Sequence, residues 1–263
     1  MHNGLKMTTL HQTNIKTMAK KRKKSFRPRL RGQKKQNHDY WNQEQSRVLV
    51  IGDLHCPFDL DAYFDHCVKT YNDFNCNKVV FIGDIIDNHY SSYHEQDPNG
   101  MGAGDELEFA IDKVTRWYKQ FPEAYVTIGN HDRIVMRKAF SGGVPKQWIK
   151  SYNEVLGTPN WKWVDRITID GVQYIHGEGG TARTKCRADM QSTVQGHLHT
   201  QCYSETYVGQ NFRIFGMQVG CGIDFDEYAF AYAKRGKKPA IACGVVIDGQ
   251  YGINVPMELG KNK

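Results

Sequence analysis

Residues 48–55, VLVIGDLH, and residues 79–87, VVFIGDIID, share one construction. In each segment four apolar residues precede a glycine and then an aspartate, Asp53 or Asp84. Apolar runs of this length that are rich in Val and Ile are typical of buried strands. Because ligands of open α/β sheets bind beyond the carboxyl ends of the strands, we expect both aspartates to lie at one edge of a sheet.

Three later segments end in the same way, with a metal-type ligand after an apolar run. They are residues 126–132, VTIGNHD, residues 174–177, YIHG, and residues 194–199, VQGHLH. The order of the five segments matters more than any one of them, since each alone is weak evidence. Together they offer seven candidate metal ligands: Asp53, His55, Asp84, Asn130, His176, His197 and His199.

These ligands are sufficient for two adjacent cations. Two divalent ions a few ångströms apart repel each other, so they need a shared anionic ligand, for which Asp84 is the candidate. Mixed nitrogen and oxygen ligands without a thiolate predict two divalent transition-metal ions, Mn, Fe, Zn or Ni, without choosing among them. Of these metals we expect manganese, with iron, zinc or nickel as alternatives. We expect Asp53, His55 and His199 to complete one site, and Asn130, His176 and His197 to complete the other.

A metal pair of this kind polarises a phosphoryl oxygen and activates a water for in-line attack on phosphorus. The leaving alkoxide then needs a proton, and His131, which directly follows a predicted ligand, is the candidate acid. Asp132 or Asp87 is available to orient its imidazole. The alternative is that His131 contacts the substrate phosphate as a cation.

The motifs D-x-H, G-D-x-x-D, G-N-H-D, H-G and G-H-x-H, in this order, resemble the calcineurin-like metallophosphoesterases. The resemblance covers about residues 47–200. It implies an α/β fold, the calcineurin-like α/β/β/α sandwich of two mixed sheets flanked by helices, and a dinuclear metal site. Within the family, the chain resembles a compact single-domain member. Such a member is either of the type that bacteriophages encode or similar to the exonucleases and phosphodiesterases. The implied activity is phosphoester hydrolysis.

The resemblance also bears on the substrate. Phosphoprotein phosphatases of the family carry an arginine directly after the second motif and another before the third, where this chain has Asn88 and Ile128. The G-N-H-D form is similar to the branch with DNA-repair exonucleases and phosphodiesterases. We therefore expect a phosphodiesterase or nuclease acting on nucleic acid or nucleotides. The alternatives are a phosphomonoesterase, whether small-molecule or protein phosphatase, and a non-catalytic nucleic-acid-binding protein on this fold.

The positive charge is concentrated at the N-terminus. Of 35 Lys and Arg and 28 Asp and Glu, residues 1–46 hold 12 and 2, while residues 47–263 hold 23 and 26. The sequence thus predicts a basic, disordered tail at 1–46 and a metallophosphoesterase domain at 47–263. Such a tail favours nucleic acid through counterion release. A solubilising role, or a true start at Met7 or Met18, is the alternative.

Hydrophobic periodicity divides the domain into a β-α-β beginning and a β-rich second half. Glycine content predicts a Gly-rich loop at 93–104 that can line the site. Dipeptides at Asp170-Gly171 and Asp248-Gly249 predict two-residue hairpin turns. The predicted strands lie at 47–52, 78–83 and 125–129, and the predicted helices at 59–72, 105–120 and 145–156.

Other features are assigned to ordinary structural roles. The cationic run Arg183, Lys185 and Arg187 predicts a solvated helix face, with phosphate binding as the alternative. For His94 and Glu95, which follow the second motif, a structural or surface role is expected, with substrate contact as the alternative. Seven Cys without a C-x-x-C pair predict reduced, structural thiols.

The chain has neither an apolar run of the roughly 18–20 residues that span a bilayer nor a signal-peptide core. We therefore expect a cytoplasmic protein without membrane contact, in the host cytoplasm if the chain is viral. The sequence does not predict an oligomeric state.

Overall fold

The computed structural model describes residues 45–92, 97–227 and 237–258. All of them belong to one compact unit, Gln45–Lys263. Of the predicted tail, Met1–Glu44 lies outside the described residues. Gln45 and Ser46 each donate a hydrogen bond to the Asp248 carboxylate, both at 2.9 Å. These two residues therefore lie against the folded part, while the character of the tail stays a prediction.

The described residues form eleven strands in two mixed sheets. The strands are β1 (Arg47–Ile51), β2 (Lys78–Phe81), β3 (Tyr125–Thr127), β4 (Lys162–Val164), β5 (Arg166–Ile169), β6 (Val172–Ile175), β7 (Thr193–Gln195), β8 (Tyr203–Val208), β9 (Arg213–Gln218), β10 (Ala242–Ile247) and β11 (Tyr251–Pro256). The first sheet has the order β11-β10-β1-β2-β3-β4, and the second has the order β5-β6-β7-β9-β8. β1 to β4 are parallel to one another, as are β6, β7 and β9, and the flanking strands are antiparallel.

Side-chain alternation along β1 divides the core between two layers. Leu49 and Ile51 pack beneath the first two helices, where Trp117 lies fully buried. Val48 and Val50 face the second sheet, with Tyr174 opposite them. Five helices are described: α1 (Asp61–Asp73), α2 (Ala103–Gln120), α3 (Ile134–Ser141), α4 (Tyr152–Leu156) and α5 (Ala182–Asp189). Because α5 packs on β7 and β9, the layers run helix, sheet, sheet, helix, which confirms the expected α/β/β/α sandwich.

The predicted helix at 145–156 is wrong as a continuous element. The chain instead makes a short 3-10 turn, Lys146–Trp148, and passes through an extended Ile149. α4 then begins after Ser151, whose side chain forms a capping box with Glu154. A serine and a glutamate three residues apart satisfy the free amides of a new helix start, so they separate the two pieces.

The other predicted elements agree with the structure apart from their ends. α1 and α2 occupy the predicted positions, whereas α3 is an additional helix. Asp170-Gly171 joins β5 to β6 in a two-residue turn, as predicted. Between β10 and β11 the loop also includes Gln250, so it has three residues rather than the predicted two.

Three sequence features have limited structural outcomes. The predicted 93–104 loop is described only from residue 97 onward, and α2 begins within it. All seven Cys are free thiols, and six of them are buried. Within the described ranges, no helix combines the length and the apolar character needed to cross a bilayer.

Candidate metal centre

The predicted ligands gather where parallel strands of both sheets end. In the first sheet, Asp53 lies two residues after β1, and Asp84 and Asn130 lie three residues after β2 and β3. In the second sheet, His176 directly follows β6 and His197 lies two residues after β7. Both sets of strands are adjacent and parallel, so their carboxyl ends open on the same edge. This is the location expected for a ligand site in an α/β fold.

The first group of candidate ligands consists of Asp53, His55, Asp84 and His199, whose ligand atoms lie within 4.8 Å of one another. His55 Nε2 is 3.1 Å from His199 Nε2 and 3.6 Å from Asp84 Oδ2. His199 Nε2 is 3.2 Å from Asp53 Oδ2. Ligands bound at about 2.0–2.2 Å in a tetrahedral or octahedral site are separated by similar distances.

The second group consists of Asp84, His176 and His197. His176 Nε2 lies 3.1 Å from Asp84 Oδ2 and 3.3 Å from His197 Nδ1. It also lies 3.0 Å from Asn130 Oδ1, which brings the seventh candidate into this group. Asp84 belongs to both groups, which is the division predicted from the sequence. The ligand roles themselves stay a prediction.

The donor set fits divalent cations. Within the described part of the chain, Asp53 Oδ1 is buried without a hydrogen-bond partner. The Nε2 atoms of His55 and His199 face each other. A hydrogen bond between them requires one nitrogen to carry a proton and the other to accept it. A cation placed between the two imidazoles would give both nitrogens a partner. The mixture of imidazole and carboxylate suits transition metals.

Electrostatics within the groups favour an ionised Asp84. Burial alone would raise the pKa of its carboxyl, but the imidazoles of His176, His55 and His131 outweigh burial and hold this pKa well below its usual range. Burial likewise acts to lower the pKa of His176, and the charges of Asp84 and Asp53 overcome it, raising that pKa to about 10. The Asp84 carboxylate is therefore the negative centre of the site.

Three ligand residues adopt the left-handed backbone conformation, with φ values of 52° at His55, 48° at Asp84 and 68° at His197. Such residues cost about 1–3 kcal/mol each and persist only where the surroundings hold them. Here their amides are anchored: His55 donates to the Asp84 carbonyl at 2.8 Å, and His197 donates to Asp53 Oδ2 at 2.8 Å. The left-handed backbone of these residues is thus held by hydrogen bonds between the ligand loops.

Asp132 ties two ligand loops together. Its buried carboxylate accepts hydrogen bonds from the amides of Gly129 at 2.8 Å, Asp84 at 2.9 Å and Ile85 at 3.0 Å. Burial and the Asp84 charge raise the pKa of Asp132 to about 7. The sequence suggested that Asp132 orients His131, but the structure places its oxygens on backbone amides of the β2 and β3 loops.

Two further contacts fix the ends of the ligand strands. A Cβ at Gly129 would overlap Asp84 Oδ1 and the Asp84 amide, so glycine lets these two loops approach. Directly after β1, the amide of Gly52 donates to the Tyr63 hydroxyl at 2.9 Å. That hydroxyl donates to the Ala242 carbonyl at 2.8 Å. Tyr63 therefore connects the loop that carries Asp53 to β10.

His131 belongs to neither of these two groups, but with His55 and Asp87 it forms a third set of residues whose ligand-type atoms lie within 4.8 Å of one another. Its amide donates to Asp84 Oδ1 at 2.8 Å, and its Nδ1 lies 2.6 Å from the Asp87 carbonyl and 3.3 Å from Asp87 Oδ1. Burial opposes protonation, but the charges of Asp84 and Asp87 prevail and raise the pKa of His131. Asp87 Oδ1 is also 2.5 Å from His55 Nδ1, so Asp87 contacts both imidazoles.

A buried support behind Asp87 was not predicted from the sequence. Glu106, in the first turn of α2, accepts hydrogen bonds from the amides of His89 at 2.6 Å and Tyr90 at 3.1 Å. His89 is buried with its Nδ1 3.9 Å from Asp87 Oδ2. A glutamate at a helix start normally suggests solvent exposure, and only the tertiary structure buries it. Burial raises the pKa of Glu106.

The residues with weaker predictions have different structural outcomes. Arg183 and Arg187 lie over the Tyr203 and Tyr207 rings on a partly solvated face of α5, with Arg183 Nε 3.2 Å from a Glu205 oxygen. Lys185 lines a cleft of about 350 Å³ that also contains His176. His94 and Glu95 lie outside the described residues.

Three solved structures resemble the chain at low identity. Vacuolar Protein Sorting 29 from Cryptosporidium parvum has 13% identity over 82% of this chain and 99% of its own, with a TM-score of 0.41. Pseudomonas putida nuclease MPE has 13% identity over 80% and 87%, with a TM-score of 0.40. YfcE, a phosphoesterase from E. coli, has 13% identity over 76% and 87%, with a TM-score of 0.35. At this similarity, none of the three assigns an activity to the chain.

Among curated proteins, none matches the sequence significantly. The family model described as calcineurin-like phosphoesterase does match, over residues 46–203. This match spans more than half of the chain and contains all five ligand motifs. The chain therefore belongs to the calcineurin-like phosphoesterase family.

Proposed function

We propose that this protein is a metal-dependent phosphodiesterase that hydrolyses nucleic acid or nucleotides. The observation that carries the proposal is Asp84, whose Oδ2 lies 3.6 Å from His55 Nε2 in one group and 3.1 Å from His176 Nε2 in the other. When bound, a pair of divalent ions would polarise the phosphoryl group and lower the pKa of a water. Imidazole and oxygen ligands support Mn, Fe, Zn or Ni, among which we favour Mn.

His131 is the proposed general acid. Its Nδ1 is held by the Asp87 carbonyl, which leaves Nε2 to give a proton to the leaving alkoxide. The charges of Asp84 and Asp87 raise its pKa against the effect of burial, which favours the protonated form that an acid needs. Asp87 and Asp132 are proposed as positioning residues, the first through the two imidazoles and the second through backbone amides.

The surroundings support a diester substrate over a monoester. A phosphomonoester carries more negative charge and gains more from a cationic clamp. The two positions where phosphatases of the family carry arginine hold Asn88 and Ile128. The side-chain Nδ2 of Asn88 donates to the His131 carbonyl at 3.0 Å. Arg133 lies nearby, but it is ion-paired with Asp165 at 3.0 Å and Glu178 at 2.7 Å.

Nucleic acid is the proposed polymeric substrate and the cytoplasm the proposed location. The first 46 residues carry 12 Lys and Arg against 2 Asp and Glu. Such a charge excess increases affinity for a polyanion without selecting its sequence. The support for this partner is the charge distribution of the chain.

The experiment that tests the activity compares two small substrates. Protein stripped with EDTA and reloaded with Mn²⁺ should hydrolyse bis(p-nitrophenyl) phosphate faster than p-nitrophenyl phosphate. His199→Ala should abolish this hydrolysis, whereas His66→Ala, on α1 with its ring bonded to the Val255 carbonyl, should not. Full turnover by the stripped protein would contradict the metal requirement, and a preference for the monoester would contradict the diester assignment.

A second experiment tests the tail. A chain that begins at Trp41 should hydrolyse the small diester as the full chain does but bind long nucleic acid more weakly. The difference in affinity should shrink as the salt concentration rises, because fewer counterions remain to be released. Equal binding of both chains at low salt would assign the tail another purpose.

A further inference from the structure

Residues 133–150 form a surface segment with unusual charge, which we call the basic aromatic segment. It comprises α3, the loop after it and the Lys146–Trp148 turn. The segment has no Asp or Glu, although residues 47–263 as a whole hold 26 of them against 23 Lys and Arg. Its five cationic residues are Arg133, Arg137, Lys138, Lys146 and Lys150.

Two aromatic side chains of this segment project into solvent. Phe140 is 85% exposed and Trp148 is 83% exposed, the highest values among the large apolar side chains of the described residues. Such exposure forfeits the free energy that burial of an aromatic ring provides. Exposed apolar groups concentrated in one surface region indicate a contact site rather than an ordinary scatter of surface residues.

Phe140 forms one wall of a cleft of about 380 Å³. Met136 and Val144 supply more apolar surface, while Arg137 and Lys146 supply positive charge at the same cleft. Sites for small ligands have volumes of roughly 300–1,000 Å³. The cleft thus has the size and chemistry for one flat aromatic group attached to an anion.

This cleft continues toward the metal centre. Arg133, Lys146 and Ile149 line both the cleft beside Phe140 and a larger one of about 820 Å³. The larger cleft includes Asn88 and Asp132, which contact the His131 carbonyl and the metal-ligand loops. A polymer bound at the centre can therefore extend along the basic aromatic segment.

We propose that the basic aromatic segment binds an unpaired stretch of the nucleic-acid substrate, with Phe140 and Trp148 stacking on bases and Lys146 and Lys150 contacting phosphates. This inference rests on the proposed function and specifies its substrate as single-stranded. Single strands present both aromatic faces and regularly spaced negative charges. A duplex fits this surface less well, because its base faces are already stacked on one another. A second copy of this chain also fits less well, because it would bring five more cations to the same surface.

The test measures binding of a fluorescein-labelled oligothymidylate to the full chain by anisotropy, in EDTA so that no hydrolysis occurs. Phe140→Ala and Trp148→Ala should each weaken binding by roughly 5- to 150-fold, the usual effect of removing one stacking platform. Trp148→Phe should retain most of the affinity because it keeps a ring. Phe109→Ala, which removes a 56% exposed ring from α2, is the matched control and should bind as the wild type does.

Charge variants separate phosphate binding from stacking. Lys146→Gln with Lys150→Gln should make the dependence of log affinity on log salt less steep by about 0.7 for each phosphate that a lysine no longer neutralises. Lys69→Gln, at a 73% exposed side chain on α1, is the matched control. All variants keep the N-terminal tail, so its contribution to binding cancels in these comparisons.

Equal affinities of Phe140→Ala, Trp148→Ala and the wild type for the single strand would overturn the proposal. Equal losses on a duplex of the same length would also overturn it, because stacking on unpaired bases would not be the cause. Binding in EDTA does not depend on turnover. Failure to hydrolyse bis(p-nitrophenyl) phosphate would therefore refute the proposed activity. The anisotropy measurements would decide independently whether the basic aromatic segment binds a single strand.

Discussion

The two sheets contribute different chemistry to the metal centre. The first sheet provides both carboxylates, Asp53 and Asp84, together with His55 and Asn130, whereas the second provides only imidazoles. Asp53, His55 and Asp84 are at most 1% exposed, and His176 of the second sheet is 2% exposed, whereas the His199 side chain is 23% exposed. The negative charge therefore lies on the first-sheet side of the site.

The difference shows how the fold supports buried charge. The first-sheet carboxylates accept backbone hydrogen bonds, with His197 N on Asp53 and His131 N on Asp84. The second sheet adds ligands that are neutral when they bind a cation. Cations bound here would connect the two sheets at one edge, beyond the apolar core that joins them.

The largest effect is expected from Asp84→Asn, which removes the shared charge on the first-sheet side. Wild-type protein should contain about two metal ions per chain by elemental analysis, and the variant should lose both. Because metal ions supply several kcal/mol of transition-state stabilisation, hydrolysis should fall by roughly 10³-fold or more. Asp65→Asn, at an exposed position on α1, is the control. Two ions retained in Asp84→Asn would contradict the assignment of Asp84 as the ligand shared by both groups.

His131→Asn asks whether the first sheet also supplies the proton. Both metals should remain, while esters with high-pKa leaving groups should react roughly 10² to 10⁴ times more slowly, the usual contribution of general acid catalysis. Esters of p-nitrophenol should suffer much less, because that leaving group scarcely needs a proton. An equal loss on both classes would assign His131 to charge stabilisation instead, and loss of metal would make it a ligand.

Metal removal tests whether cations connect the sheets. Each ion present at 100 times its Kd should add about 2.7 kcal/mol to the free energy of unfolding. EDTA should therefore lower the urea midpoint of the wild type. His197→Ala should retain part of this response and Asp84→Asn none, since only the second is shared between the groups. An unchanged wild-type urea midpoint would show that metal binding does not stabilise the contact between the two sheets.

Asp59 is a reference carboxylate beneath α2, outside the candidate ligand groups. Trp117 Nε1 donates to its Oδ2 at 3.2 Å, and Lys113 lies 3.5 Å from Oδ1. Burial raises its pKa above the ordinary 3.8, with Lys113 and Trp117 partly offsetting the effect. The folded state then holds this proton more tightly than the unfolded state, so the contribution to stability is complete below pH 3.8 and decreases as pH rises through the folded pKa.

This is the smallest expected effect and is measured by urea unfolding between about pH 4 and pH 7. The stability of the wild type relative to Asp59→Asn should fall as pH increases, since asparagine does not titrate. A relative stability that rises with pH would mean that Lys113 outweighs burial at this site.

The ligand positions could be anticipated from sequence because each follows a strand end. Apolar runs and the glycines of the ligand loops are local features, so Asp53, Asp84 and His176 could be placed without tertiary information. The bonds from Asp132 to loop amides and the burial of Glu106 could not be anticipated, because the backbone amides that they contact are brought near only by the fold. No residue pattern encodes such hydrogen bonds.

The α3 region shows a different limit. Only Ile134 of this helix is buried, so no apolar stripe marks it in the sequence. The following turn and α4 differ from the predicted helix because the Ser151 and Glu154 cap starts a new element. The absence of acidic residues across 133–150 was visible in the sequence, but only the structure shows that Phe140 and Trp148 are exposed there.

The Tyr63 bridge has a consequence for how the protein is made. Tyr63 fixes the Gly52 end of β1 to Ala242, and β1 pairs with β10 across a separation of 200 residues, Arg47 with Ile247. Until β10 has been synthesised, one edge of the apolar strand β1 is open and exposed to wrong pairing. The loop that carries Asp53 lacks its anchor for the same period. We therefore expect closure of this bridge to be a late step of folding, so that a partly synthesised chain does not yet hold the finished centre.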